Sequence, residues 1–159
     1  CEGFQVLAAA QDAEAGKSMA EIKQHLADLQ DRLRLKMMVV NLQNIIKGGR
    51  LGPLTGRVAT LLNIRIALTM KKGDLLIDRK GRGRKFTNKY VAEVLLYLRN
   101  HPSVSQLCIS YVDTPTEIQK MAAEIKKQEP NIAILTRITS PIIATHAGSG
   151  AFAIQFFTE

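Results

Sequence analysis

Apolar residues recur along this chain with two periods, and the alternation between them predicts its elements. Phe4, Val6, Leu7 and Ala10 share one face of a helix that runs to Gly16. Ser18 and Glu21 then have capping-box spacing, in which each side chain satisfies a free backbone N–H at a helix start. The helix they open places Met19, Ile22, Leu26, Leu29 and Leu33 at steps of three and four, predicting one buried stripe. Leu35 to Asn41 is too short for a further helix and predicts a strand entering the core.

The middle of the chain is punctuated by glycine. Leu42 to Lys47 predicts a turn or two of helix stopped by Gly48 and Gly49, and Thr55 to Leu62 a short helix after Pro53. Ile64 to Met70 and Leu75 to Lys80 flank a turn at Gly73, which predicts a hairpin with the basic run Gly81 to Lys85 at the end of its second arm. Period 3.6 returns from Thr87 to Asn100 on Tyr90, Val91, Val94, Leu95 and Leu98. Gln106 to Val112 predicts a strand. Thr114, Pro115 and Glu117 then predict a capped helix that buries Ile118, Met121, Ala122 and Ile125 and ends near Pro130. Strands are predicted at Ile132 to Ile138 and Ala151 to Phe157, with Thr139 to Gly150 as a loop between them. Interleaved helices and strands without a fixed repeat give an α/β (α+β) fold, a mixed sheet layered with helices.

Composition narrows the class. With 159 residues and 46% apolar content, one globular domain can form a real core. The longest apolar runs fall far short of the roughly 20 residues that span a bilayer, so no transmembrane segment is predicted. Two cysteines, Cys1 and Cys108, provide neither a disulfide framework nor a zinc pair, which fits a reducing compartment such as the cytoplasm. The start lacks an initiator Met and any leader pattern, so a piece of a longer protein is expected. Net charge is +8, and it is localised: residues 47–89 hold twelve basic and two acidic residues, the remainder ten basic and twelve acidic. Such a segment attracts anions of any kind, from phosphate backbone to a small ligand.

Three segments offer chemistry. In Lys47-Gly48-Gly49-Arg50 a sharp turn can hold a guanidinium ready to fork onto a carboxylate or phosphate, although a helix C-cap followed by a surface arginine explains the same residues. In Thr145-His146-Ala147-Gly148-Ser149-Gly150 an imidazole and several backbone N–H groups can face an anion, and a satisfied loop histidine is the competing reading. Gly81-Arg82-Gly83-Arg84-Lys85 has no interleaved aromatic residue before Phe86 to stack on bases, so a solvated hairpin end is expected. No phosphate-binding loop, metal-ligand set, cofactor motif or activated nucleophile is evident, which leaves little for catalysis.

The order of these segments resembles the DegV family of bacterial fatty-acid-binding proteins. The resemblance rests on IIKGGRLG (Ile45–Gly52), LLNIRIAL (Leu61–Leu68), RKGRGRKF (Arg79–Phe86), THAGSGAFAI (Thr145–Ile154) and EAGKSMAEI (Glu14–Ile22). It covers the whole chain but only the C-terminal part of a family member. It therefore implies a single C-terminal domain over residues 1–159, with 1–35 as linking helices and the family's N-terminal domain absent. The implied function is non-catalytic: holding one long-chain fatty acid and presenting its carboxylate to the ATP-using subunit of a fatty acid kinase, without a cofactor. The head-group histidine of the family maps onto His146, in a loop that also supplies Thr145, Gly148 and Gly150, and the arginine linked to the kinase encounter maps onto Arg50. Leu61, Leu62, Ile64 and Ile66 are candidates for the acyl tail, equally compatible with plain core positions. Arg65-Ile66 departs from the common Lys-Pro of the family, and Ala147-Gly148-Ser149-Gly150 from Thr-Gly-Pro-Gly. Because the family's first domain completes the site, the 159 residues alone are expected to bind acid weakly or not at all. The alternative is a nucleic-acid-binding module on residues 47–89, which would weaken steeply with salt.

Overall fold

The computed structural model describes residues 2–49, 63–71 and 73–158. Cys1, Arg50, Leu61, Leu62 and the helix predicted over Thr55 to Leu62 lie outside these residues. The chain opens with a helical pair, α1 (Glu2–Glu14) and α2 (Met19–Arg32). Ser18 caps α2 as predicted: its Oγ accepts from Glu21 N, and the Glu21 carboxylate accepts from Ser18 N at 2.7 Å. The predicted apolar faces are only partly covered. Leu29 is buried and Phe4 meets Phe157 edge to face at 5.6 Å, but Val6 and Leu7 are each 62% exposed and Met19 67%. The pair is instead pinned by a polar contact, the buried Asp12 carboxylate between Lys17 (2.7 Å) and His25. Lys17 first, then His25, hold that carboxyl below its ordinary range.

Strand β1 (Leu33–Val39) follows, then α3 (Leu42–Lys47), the hairpin β2 (Ile64–Lys71) and β3 (Asp74–Arg82), α4 (Gly83–Arg99), β4 (Gln106–Tyr111), α5 (Pro115–Gln128), β5 (Ala133–Ile138), α6 (Pro141–Ala147) and β6 (Phe152–Phe157). They form one mixed sheet in the order β3-β2-β1-β6-β4-β5, with β4 and β5 parallel through the α5 crossover and every other neighbouring pair antiparallel. The α/β architecture read from the sequence is thus the observed one.

Strand alternation divides the core between the two faces of the sheet. Met38, Ala67, Leu107, Ile109, Phe152, Ile154 and Phe156 face α4 and α5, where Tyr90, Val94, Leu98, Ile118 and Ile125 complete the larger cluster. Val39, Ile66 and Leu68 face the other way and pack with Leu42 and Ile45 of α3.

Three expectations are corrected. Residues 139–150 are not simply a loop, because α6 occupies most of them. Ser140 is its N-cap, accepting from Ile143 N, and Pro141 is its first residue, whose fixed φ suits that place. The capping box expected at Thr114 is absent: α5 starts on Pro115 with no side-chain cap. Gly81 to Lys85 lies at the end of the hairpin with Arg82, Arg84 and Lys85 exposed, as expected, but it is also the junction from β3 into α4, which begins four residues earlier than its apolar period suggested. Tertiary packing sets that start. A Cβ on Gly81 would fall 2.2 Å from the Phe86 ring, so the ring closes over a glycine backbone.

Candidate functional site

One row of paired residues, Ala67, Met38, Phe152, Tyr111 and Ile138, crosses five strands near one end of the sheet. Just beyond this row the chain enters or leaves Val40, Arg65, Asp113, Ser140 and Gly150, so α3, α4, α5 and α6 all begin at this end. Topology therefore brings segments far apart in sequence to one edge, and four of the candidate residues lie there.

The KGG turn and the THAGSG turn touch. Asn44 of α3 donates from Nδ2 to the Thr145 carbonyl at 2.9 Å. Gly48 caps α3 and lies against the imidazole: a Cβ there would come 2.3 Å from His146 Nδ1 and 3.1 Å from Cε1. His146 is half-buried on the last turn of α6, and its Nδ1 is buried with no hydrogen-bond partner among the described residues. Beyond it the backbone turns at Gly148 and Gly150, both with φ +77°, a conformation glycine adopts without a Cβ penalty. Each glycine also lies close to a neighbour: a Cβ would meet Asn41 O and Asn44 Cβ at 3.3 Å from Gly148, and Val40 Cβ at 3.3 Å from Gly150. Asp113 fixes the far side of the turn, accepting from Gly150 N at 2.8 Å. The Ser149 hydroxyl first, then that amide, hold the Asp113 carboxyl below its ordinary range. Thr145 turns its hydroxyl back to Pro141 O at 2.8 Å, and the Gly148 and Gly150 amides are taken by Ala144 O at 2.9 Å and Asp113 at 2.8 Å, which leaves the imidazole as the group able to face an anion.

Beside this turn a cavity of about 630 Å³ opens between α4 and α5, a volume within the range of small-molecule sites. Val40 and Phe152 floor it, Val91 and Leu95 form one wall, and Ile118 and Met121 the other, with Gly150 at its rim. Polar groups gather where β2 meets α4: Arg65 donates from Nη1 to the buried Thr87 hydroxyl at 2.7 Å, next to Arg84 and Asn88. Burial first, then the Arg84 charge, hold the Arg65 guanidinium below its ordinary value.

Of the candidate residues, Thr145, His146, Gly148 and Gly150 lie together at the sheet end. Ile66 is fully buried and Ile64 half-buried in the cluster on the face away from the cavity. Arg50, Leu61 and Leu62 lie outside the described residues. Asn44 and Asp113, which hold the turn, escaped the sequence reading because each acts on backbone groups 101 and 37 residues away. The cavity escaped it because its walls are the flanks of two stripes that read only as core. The basic segment is partly spent on the fold itself, since Arg79 pairs with Glu93 and Arg65 with Thr87. Cys108 is buried, and burial pushes its thiol up, the opposite of nucleophile activation. Among the described residues no group of three or more His, Cys, Asp or Glu side chains could hold a metal, and no helix is long and apolar enough to cross a membrane.

The family model described as "Uncharacterised protein, DegV family" matches residues 1–159. A DegV domain-containing protein of Streptococcus pneumoniae is 36% identical over 152 residues, covering 95% of this chain and 53% of that protein. One from Listeria innocua is 34% identical over 160 residues, covering 99% of this chain and 56% of its own length. The chain thus spans about half the length of the curated relatives it matches. Among solved structures, Bacillus subtilis DegV, a fatty acid binding protein, superposes with a TM-score of 0.82 at 23% identity, covering 99% of this chain and 56% of that one. The Streptococcus pneumoniae fatty acid kinase (Fak) B3 protein loaded with linoleic acid gives 0.79 at 22% identity, with 98% and 55% covered.

Proposed function

The chain belongs to the DegV family, and from that premise we propose that it binds a long-chain fatty acid, carboxylate at the His146 to Gly150 turn and acyl chain in the cavity between α4 and α5. The observation that carries this reading is that Gly150, which closes the turn begun at His146, also lines the cavity. It gives an anion-facing turn and an apolar cleft one shared edge. A carboxylate leaving water needs charge-assisted hydrogen bonds, and the His146 ring offers a donor for one. The tail needs only apolar area, worth about 0.8 kcal/mol per buried methylene. Val91, Leu95, Ile118 and Met121 offer that area, so the tail is assigned here rather than to Ile64 and Ile66, which pack on the opposite face.

The chain acts in this reading as the C-terminal domain of a two-domain binder, with α1 and α2 as the linking helices and residues 33–35, expected as part of them, already in β1. It presents the acid in the cytoplasm to a separate ATP-using kinase subunit and does no chemistry itself. Support for the kinase role comes from the Fak B3 protein, which shares this fold over 55% of its length, and from Arg50, which follows Gly48 and Gly49 in sequence. The test compares two proteins by native mass spectrometry after delipidation and exposure to oleate. One is the 159-residue chain; the other is a chimera in which this chain replaces the matching part of the Streptococcus pneumoniae relative. One acid per chimera and little on the chain alone is the expected result. A chimera that folds and retains no acid overturns the proposal.

A further inference from the structure

The cavity between α4 and α5 is lined by a cation that has no counter-charge among the described residues. Arg65 extends from β2 beneath α4, and its Nη1 is engaged by Thr87. Its Nε is buried with no hydrogen-bond partner among the described residues. Arg84 stands close enough to oppose its charge, and neither arginine belongs to an ion pair among the described residues. The acids that border the cavity are Glu117 and Glu124 on α5, across from Arg65, and Lys120 sits between them on the same helix. Glu124 accepts from Gln128 instead. A guanidinium in a folded protein ordinarily meets an acceptor of opposite charge, so one that lines an open cavity with no carboxylate on it marks the place of a ligand acceptor.

We propose that the Arg65 end of the cavity is an oxyanion site, with the Arg65 guanidinium donating to a carboxylate or phosphate oxygen and Arg84 adding a second positive charge. This rests on the reading of the cavity as the acyl site and deepens it. The ligand class becomes an amphiphile that carries an anionic group on this strand, in addition to the group that His146 faces. A phosphorylated acyl compound has the charge to use both positions. An uncharged lipid of equal length uses neither.

The experiment follows the Arg Nε–H signals of the chimera by nitrogen NMR, with the Arg65 signal assigned by its loss in Arg65→Lys. Inorganic phosphate and acetate are titrated first, then monotetradecyl phosphate, myristate and tetradecanol. The expected result is a saturable shift of the Arg65 signal with phosphate. Arg65→Met should weaken monotetradecyl phosphate binding by about tenfold to a hundredfold, as for a lost charge-assisted bond, while changing tetradecanol binding by less than about twofold; Arg65→Lys should recover part of the loss. An Arg65 signal unmoved by every anion at roughly 10 mM overturns the proposal, as does an Arg65→Met variant that loses alcohol and phosphate alike. Failure of the acyl reading looks different: neither tetradecanol nor the alkyl phosphate binds, yet inorganic phosphate still moves Arg65. If Arg65→Met does not fold, the wild-type titration and Arg65→Lys decide the matter.

Discussion

Gly48 and Gly49 are adjacent and yet are predicted to respond to alanine in opposite ways. Gly48 has φ −76° and ψ −1°, which alanine adopts freely. The new methyl would lie 2.3 Å from His146 Nδ1 and 3.2 Å from the Asn44 carbonyl. Ordinary contact between heavy atoms is about 3.5–4.0 Å, so the ring must retreat by more than about 1 Å. Overpacking costs about 1–3 kcal/mol, and the restricted unfolded chain returns about 0.4–1 kcal/mol. The net destabilisation is about 0–2.6 kcal/mol, a fall in Tm of at most about 10 °C at 2–4 °C per kcal/mol. Acid binding should suffer more. Moving the imidazole off a carboxylate forfeits a charge-assisted bond worth about 1.5–3 kcal/mol, a loss of about tenfold or more in affinity. At Gly49 the situation reverses. Its φ is +68° and nothing lies within 4 Å of a Cβ, so Gly49→Ala strains the backbone by about 1–3 kcal/mol and leaves His146 alone. The assay pairs thermal unfolding with oleate titration of both variants in the chimera. Loss of affinity in Gly48→Ala with retention in Gly49→Ala is predicted. Equal affinities in the two variants and the parent would refute the contact as a determinant of binding.

Other consequences follow from the same geometry. Because the Asp113 carboxyl is held below its ordinary range, its bond to Gly150 is in place above an ordinary carboxylate pKa of about 3.9 and is lost as pH falls through the lower folded value. The Gly150 amide signal should follow that titration, and Asp113→Asn should abolish it; a flat signal in the parent would remove Asp113 as the anchor of the turn. Asp12→Ala should speed amide hydrogen exchange across α1 by freeing Lys17 and His25, whereas unchanged exchange would mean that apolar packing alone holds the helical pair. Arg50→Ala in the chimera should leave oleate binding nearly intact and slow kinase-dependent phosphorylation, and normal rates in both assays would reduce the residue to surface charge.

The elements that could be read from the sequence are those whose cause is local. The Ser18–Glu21 box, the Gly73 hairpin and the apolar stripe of α5 need only residues within a few positions of one another. α6 had local signals too, Ser140 as cap and Pro141 at the first position, but seven residues rich in small and β-branched side chains hid a helix that Asn44 steadies from outside. The start of α4 could not be read, since it depends on Phe86 closing over Gly81 and on Thr87 meeting Arg65. The faces of α1 and α2 misled in the other direction, because hydrophobic spacing says which side chains align and not what covers them. At the site, His146 and the KGG turn were each visible as motifs. Their contact was not, because it is made by strand order: β1 and β6 are antiparallel neighbours, so the segment that leaves β1 meets the segment that enters β6.

The placement of the acid is tested most directly by carbon NMR of palmitate labelled at its carboxyl carbon and bound to the chimera. A single bound carboxyl signal is predicted, with a cross-relaxation contact to the His146 ring and a change in position in His146→Ala. A bound signal that is identical in parent and His146→Ala would contradict the account, because the acid would then sit where His146 does not reach it.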